Sequence, residues 1–289
     1  MSAIGISVAM LSPFTEGGAL DTARLSAHAT RLLHDGADGV TLFGTTGEGA
    51  SLTAGERAAG LDAVLSAGVP TEAVTFTVYA TAAADAVDQV RTGLAHGVQS
   101  FLVPPPFYFP DPDDDGLFRW YAELLADTDA AARIILYHIP QVTGIGLSPA
   151  LIMRLVDAFP GRVRAVKDSS GDWATAEALL KIEDLPVLVG DERLLHRAAA
   201  LGAAGSITGC ANLYPARLKR VYGTAQEDAA LSAAVTAVVS CPVMPALKVL
   251  MARMLGDPAW ETLRPPLTPV TPEQRAMLLD QAVLEPADG

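Results

Sequence analysis

Cysteine is nearly absent: Cys210 and Cys241 are the only two, and no Cys-x-x-Cys occurs. That is too few for a disulfide framework, so both are read as small buried hydrophobes of a protein in a reducing, cytoplasmic compartment. Long apolar runs are also missing. Half of the residues are apolar, yet none of the runs approaches the roughly 18 residues of a membrane span. The start, from Met1 to Met10, has neither the basic leader nor the cleavage site of a signal peptide and reads as a first strand. Basic residues are scarce, 20 Lys and Arg against 33 Asp and Glu for a formal charge of −13. This balance repels phosphate backbones, and with no basic cluster it disfavours a nucleic-acid partner. A small anionic substrate stays open, because one buried cation can govern a pocket.

Several motifs are lacking too. Gly44-Thr-Thr-Gly47-Glu-Gly49 has the wrong spacing for a dinucleotide-binding turn, and Gly144-Ile-Gly146 has no third glycine, which weakens a nicotinamide enzyme. Neither a nucleophile elbow nor a P-loop occurs. The histidines at 28, 34, 96, 138 and 196 form no familiar metal-ligand pair, so no metal site is expected. Asp111 to Gly116 opens like a calcium loop, but its twelfth position is Ala122 where a bidentate Glu is required. A solvent-facing acidic helix start before Leu117 fits better.

What is present is alternation. Short β-branched runs begin near Ile4–Leu11, Gly39–Phe43, Val74–Tyr79, Ser100–Pro104, Ile134–His138, Val163–Asp168, Val187–Gly190 and Gly205–Thr208, separated by Ala/Leu-rich stretches of helical spacing. Leu25, Ala29, Leu32 and Leu33 mark one such helix, with Gly36 as its C-terminal cap. Eight βα units predict an α/β fold, a (β/α)8 TIM barrel over residues 1–224. Residues 225–289, with helical segments at Ala229–Val239, Pro245–Leu255 and Pro272–Leu284, predict a C-terminal helical extension packed on the barrel. A large doubly wound sheet is the competing topology, disfavoured by the missing glycine fingerprint.

In such a barrel chemistry sits at the C-terminal strand ends. Four stand out: Gly44-Thr45-Thr46-Gly47-Glu48, Tyr137-His138, Lys167-Asp168-Ser169-Ser170-Gly171 and Gly190-Asp191. The chain has four lysines, and Lys181, Lys219 and Lys248 lie in helical segments and read as solvated ends. Lys167 instead leaves an apolar strand, where desolvation favours the neutral amine that attacks a carbonyl carbon. The competing role is a lysine that merely pairs with Asp168 or another carboxylate. The Tyr137 phenol is a candidate proton relay, or else a packed ring with a satisfied hydroxyl. The glycines around Thr45 and Thr46 would let backbone N–H groups and two hydroxyls cradle a carboxylate, unless the segment is an ordinary strand-to-helix turn.

At these residues the chain resembles the dihydrodipicolinate synthase and N-acetylneuraminate lyase superfamily of class I, Schiff-base lyases. The resemblance runs over nearly the whole length: Gly44-Thr45-Thr46-Gly47-Glu48, Pro106-Phe107-Tyr108, Tyr137-His-Ile-Pro140, Val166-Lys167-Asp168, Gly190-Asp191, Ala211-Asn212 and Leu263-Arg-Pro-Pro-Leu-Thr-Pro269. It implies that Lys167 forms an imine with a 2-oxo acid, pyruvate being the donor or product, and that Tyr137 relays protons. Thr45 would link Tyr137 to Tyr108 from a neighbouring subunit. Thr46, with the adjacent backbone at Gly47, would hold the pyruvate carboxylate, and Gly190 and Ile207 would line the pocket. It also implies a homotetramer built as a dimer of dimers. The iminium is itself the electron sink, so no metal or organic cofactor is required.

One departure bears on the substrate. Synthases that condense pyruvate with aspartate semialdehyde usually carry an arginine for the second carboxylate where this chain has Val142, and valine cannot make that contact. His138 and Phe107 likewise replace an asparagine and a tyrosine. The expectation is therefore a lyase or aldolase taking a 2-oxo acid and an aldehyde less acidic than aspartate semialdehyde. The 4-hydroxy-tetrahydrodipicolinate synthase reaction itself is the first alternative, and a non-catalytic 2-oxo acid binding protein the second.

Overall fold

The computed structural model describes residues 4–282. Eight parallel strands follow one another around a closed barrel: β1 (Gly5–Ala9), β2 (Gly39–Leu42), β3 (Val74–Thr77), β4 (Ser100–Val103), β5 (Arg133–His138), β6 (Val163–Asp168), β7 (Val187–Val189) and β8 (Gly205–Thr208). β1 pairs with β2 on one side and with β8 on the other, so the sheet has no free edge and the doubly wound alternative is excluded. Closure depends on glycine at one point. Gly5 and Gly205 are partners in the β1–β8 ladder, and a Cβ on Gly205, whose φ is +145°, would lie 2.1 Å from the Gly5 carbonyl oxygen.

Strand alternation sorts the side chains. Ile6, Val8, Val40 and Leu42 face outward into one core shared with the helices, whereas Ala9, Leu102, Ile135, Tyr137, Ala165, Leu188 and Ile207 form a second cluster inside the barrel. Below that inner cluster the lining turns to hydroxyls, paired as Ser7 with Thr41 (2.9 Å) and Thr75 with Ser100 (3.1 Å). Buried hydroxyls are tolerated here because they satisfy one another.

The helices obey their sequence signals. Thr22–His34 starts where the Asp21 carboxylate accepts the Arg24 N–H, buries Leu25, Ala29 and Leu32, and gives way to Gly36 at φ +100°. Asp113 caps Asp114–Ala126 by accepting the Gly116 N–H, with Asp114 and Asp115 in the first turn and exposed, so the acidic run opens a helix.

After β8 come Pro215–Thr224, Ala229–Val239, Val243–Leu255 and Pro272–Gln281. The end of the last predicted segment, at Leu284, falls outside the described residues. Ala229–Val239 packs on the turn Glu192–Leu194 beyond β7, and Val243–Leu255 on the turn Cys210–Asn212 beyond β8. These helices therefore reach the C-terminal end of the barrel. Among the described residues no helix is long and apolar enough to cross a membrane.

Lys248 corrects the sequence reading. It is no solvated helix end: its side chain is fully buried, paired with the equally buried Glu48 carboxylate and donating to the Thr262 carbonyl at 2.7 Å. Val243–Leu255 is buried on almost every side, so a lysine within it needs an internal partner. Lys181 and Lys219 are surface residues, paired with Glu177 and Asp38.

Candidate active site

The C-terminal mouth of the barrel opens into a cavity of about 540 Å³. Thr45, Thr46, Tyr137, Lys167, Gly190 and Ile207 all line it. Six of the predicted site residues thus converge from five strand ends. Gly47 does not line it; its carbonyl accepts a hydrogen bond from Ser12 at 2.6 Å, turned toward β1. Tyr108 does not line it either and is 77% exposed, its ring edge against Phe109 at 5.4 Å.

Lys167 is brought into the barrel by an irregularity. The β5–β6 register runs Ile134 to Val163 and then Ile135 to Ala165, so Arg164 is an extra residue on β6. From there Tyr137 partners Lys167 and His138 partners Asp168. Without that extra residue the same ladder would set Val166 beside Tyr137, and the amine would point into the helix layer. Lys167 is 4% exposed and its Nζ lies 4.1 Å from the centroid of the Tyr137 ring. Among the described residues no carboxylate lies within ion-pair distance of it; the neighbouring Asp168 accepts the Ser170 N–H instead, at 3.0 Å.

The loop after β2 faces this pair. Thr45 Oγ1 lies 3.3 Å from the Tyr137 hydroxyl and 3.4 Å from the hydroxyl of Tyr79. Glu48, in the left-handed region at φ 53°, turns inward from the same loop to meet Lys248. Burial pushes the Lys248 ammonium below its usual range, and the attraction of Glu48 opposes this. The Glu48 carboxylate also accepts the Arg264 N–H at 3.2 Å, while the Arg264 guanidinium is forked onto Glu56 and donates to the Gly18 and Ser51 carbonyls. The segment after Leu263 therefore braces the threonine loop.

Across the cavity Asp191 grips Arg193 through two hydrogen bonds, Nε to Oδ1 at 3.0 Å and Nη2 to Oδ2 at 2.7 Å. Arg193 is the one cation besides Lys167 among the described residues lining the cavity, and its charge is already met. Val142, 61% exposed, stands at the mouth with Val239, Val243, Met244 and Leu247 from the C-terminal helices. His138 accepts the Leu147 N–H through Nδ1 at 2.9 Å; desolvation lowers its pKa and Asp168 opposes this, so the neutral ring pins the segment that follows Val142. Glu192, buried beside the cavity, accepts the Cys210 N–H at 2.7 Å, and desolvation raises its pKa.

Asn212 ties the barrel ends together. Its amide donates to the Ala9 and Gly209 carbonyls, and its oxygen accepts the Leu11 N–H and meets Nε2 of His28 at 2.9 Å. Sequence reasoning missed Tyr79, Arg193 and the Glu48–Lys248 pair. Tyr79 was within reach of the criterion used, since it ends the third apolar run as Tyr137 ends the fifth. The ion pair had no local signal, its members being 200 residues apart.

The sequence profile of the dihydrodipicolinate synthetase family matches residues 2–283. A DapA-like lyase of Chloroflexus aurantiacus is 35% identical, over 95% of this chain and 94% of its own. A 4-hydroxy-tetrahydrodipicolinate synthase of a Synechococcus strain is 30% identical, over 96% and 94%. Among solved structures, dihydrodipicolinate synthase from Agrobacterium tumefaciens superposes with a TM-score of 0.93 at 40% identity, covering 96% of this chain and 98% of that one.

Proposed function

The chain belongs to the dihydrodipicolinate synthetase family, and from that premise we propose that Lys167 is the imine-forming residue of a class I lyase that joins or separates pyruvate and an aldehyde carrying no second carboxylate. The observation that carries this reading is Lys167 itself: buried, without an ion-pair partner among the described residues, and set against Tyr137 at the base of the cavity. A lysine kept only for structure would be expected to hold a carboxylate there, as Lys248 does.

The remaining roles follow from position. The Lys167 amine adds to the pyruvate carbonyl carbon, and Tyr137 gives its proton to the hydroxyl that leaves as water. The iminium then accepts the electrons of a C3–H or C3–C bond, giving an enamine. Thr46, with backbone N–H groups near Gly47, binds the carboxylate; Gly190 and Ile207 leave room for the methyl end. Residues 1–224 act as the catalytic barrel, and residues 225–289 as an extension that supplies the apolar wall. The exposed run Phe107, Tyr108 and Phe109 suits burial between subunits, in keeping with a homotetramer built as a dimer of dimers. The paucity of cysteine suits a cytoplasmic protein.

The aldehyde preference rests on Val142 and on Arg193 being held by Asp191. Turnover of pyruvate with a panel of neutral and hydroxylated aldehydes, set beside aspartate semialdehyde, tests it. Neutral aldehydes should give the higher kcat/KM. Preference for aspartate semialdehyde would transfer the reading to the synthase reaction, with Arg193 released from Asp191 as the carboxylate ligand. Binding of pyruvate with turnover of none would leave a binding protein.

A further inference from the structure

Thr45 has two tyrosine neighbours within one subunit. Its Oγ1 lies between the Tyr137 hydroxyl, at 3.3 Å, and the Tyr79 hydroxyl, at 3.4 Å. Tyr108, the residue that family resemblance would bring to Thr45 from a neighbouring subunit, stands out from the surface. Phe107, just before it, instead lays its ring edge against Tyr79 with centroids 6.5 Å apart.

Tyr79 is fixed with unusual thoroughness for a residue just past a strand. The Gln89 amide clamps its backbone from both sides, Oε1 accepting the Tyr79 N–H at 3.0 Å and Nε2 donating to the Tyr79 carbonyl at 2.8 Å. Arg57 secures the clamp, donating to Gln89 Oε1 at 2.7 Å and to the Gly49 carbonyl at 3.0 Å, with its guanidinium 6.0 Å from the centre of the Tyr79 ring. Gly49 makes room for that ring: a Cβ there would lie 2.8 Å from Tyr79 Cε2. The loop after β3 and the threonine loop after β2 are thereby locked together, with the two hydroxyls meeting at the lock.

We propose that Tyr79 is the second tyrosine of the proton relay, acting through Thr45 on Tyr137 within a single subunit, in place of Tyr108 from a neighbour. The proposal rests on Lys167 and Tyr137 having the roles given above. Tyr79 O–H donates to Thr45 Oγ1, and Thr45 O–H donates to the Tyr137 oxygen, which leaves the Tyr137 proton aimed at the cavity. When Tyr137 passes that proton to the departing water, its oxygen gains negative charge and the Thr45 donor holds it. When the C3–H bond of the bound pyruvate breaks, its electrons flow to the iminium nitrogen and its proton returns to Tyr137. Burial and the adjacent Tyr137 hydroxyl raise the Tyr79 phenol well above its usual pKa, so it stays a donor throughout. Separations of 3.3 and 3.4 Å are long for O–H···O contacts, and relays of this kind shorten when the substrate is bound. Tyr79 is thus a positioning residue.

The test needs pyruvate alone. Exchange of its methyl protons with D2O, followed by proton NMR, reads enamine formation, and borohydride trapping read by intact mass reports the imine separately. Tyr79→Phe should slow exchange about 10-fold or more while its melting temperature and trapped fraction stay at wild-type levels. Tyr108→Phe should stay within about twofold of wild type. In a Thr45→Val background Tyr79→Phe should slow exchange no further, and Thr45→Ser should restore it. Exchange lost equally in Tyr108→Phe overturns the proposal even if Tyr79→Phe fails to fold. So does undiminished exchange in Tyr79→Phe, or a Tyr79 effect that adds in full to that of Thr45→Val. Absence of any trapped adduct on the wild type would instead overturn the role of Lys167.

Discussion

Tyr137 and Lys167 are partners across the β5–β6 ladder, with the lysine nitrogen 4.1 Å from the centre of the tyrosine ring. The ring face excludes water from one side of the amine, and the tyrosine hydroxyl extends toward Thr45. Tyr137→Phe keeps the face and deletes the hydroxyl. The variant should lose about 10²–10⁴-fold in kcat, the usual range for removal of a proton-transfer group, with pyruvate KM little changed. A large rise in KM with kcat preserved would make the hydroxyl a binding contact only.

Specificity should respond to Val142. An arginine there would project a free guanidinium at the cavity mouth, where Arg193 is held by Asp191. Val142→Arg should raise kcat/KM for aspartate semialdehyde relative to a neutral aldehyde by about 10-fold or more, the effect of one charge-assisted bidentate contact. An unchanged ratio would mean that this part of the mouth does not meet the aldehyde.

The Glu48–Lys248 pair predicts an asymmetry in stability. Lys248→Met leaves a carboxylate buried and unpaired, a loss of about 3–5 kcal/mol. Adding Glu48→Gln removes that stranded charge and should recover much of the loss. Denaturant unfolding of the two variants measures the difference. If the double variant is the weaker of the two, the pair contributes net stability beyond mutual neutralisation.

His28 gives the protein a pH-dependent weakness. Its ring is buried between Asn212 and Arg31; desolvation depresses its pKa from 6.5 to about 3, and the Asn212 hydrogen bond only partly opposes this. Below pH 6.5 the unfolded chain takes up a proton at this position that the native state refuses, so stability present above that pH falls as pH drops toward 3. The Glu56 carboxylate, held down to about 2 by Arg264, adds its own loss only below its usual value of 4.5. Between pH 6.5 and 4.5 the wild type should therefore lose more stability than His28→Gln. Parallel curves for the two over that interval would remove His28 as the cause.

The barrel was legible because each of its strands is a short β-branched run between helical stretches, and Ala229–Val239 falls where its spacing places it. Three features were not. The extra residue at Arg164 leaves no mark on the apolar pattern, although it decides which side chain of β6 enters the barrel beside Tyr137. Lys248 carries the same letter as a surface lysine; only Glu48, arriving from the far side of the fold, makes its burial tolerable. Tyr79 ends a strand in plain view, but its bearing on Thr45 depends on how two loops lean together. Alternation along a strand is a local property, whereas register and loop approach depend on the whole barrel.

Reductive trapping tests the central claim most directly. Wild type and Lys167→Ala would be incubated with pyruvate and borohydride, and their intact masses compared. The account predicts one reduced pyruvate adduct per chain on the wild type, mapped to Lys167, and none on the variant. An adduct that survives in Lys167→Ala, or none on the wild type, would contradict it.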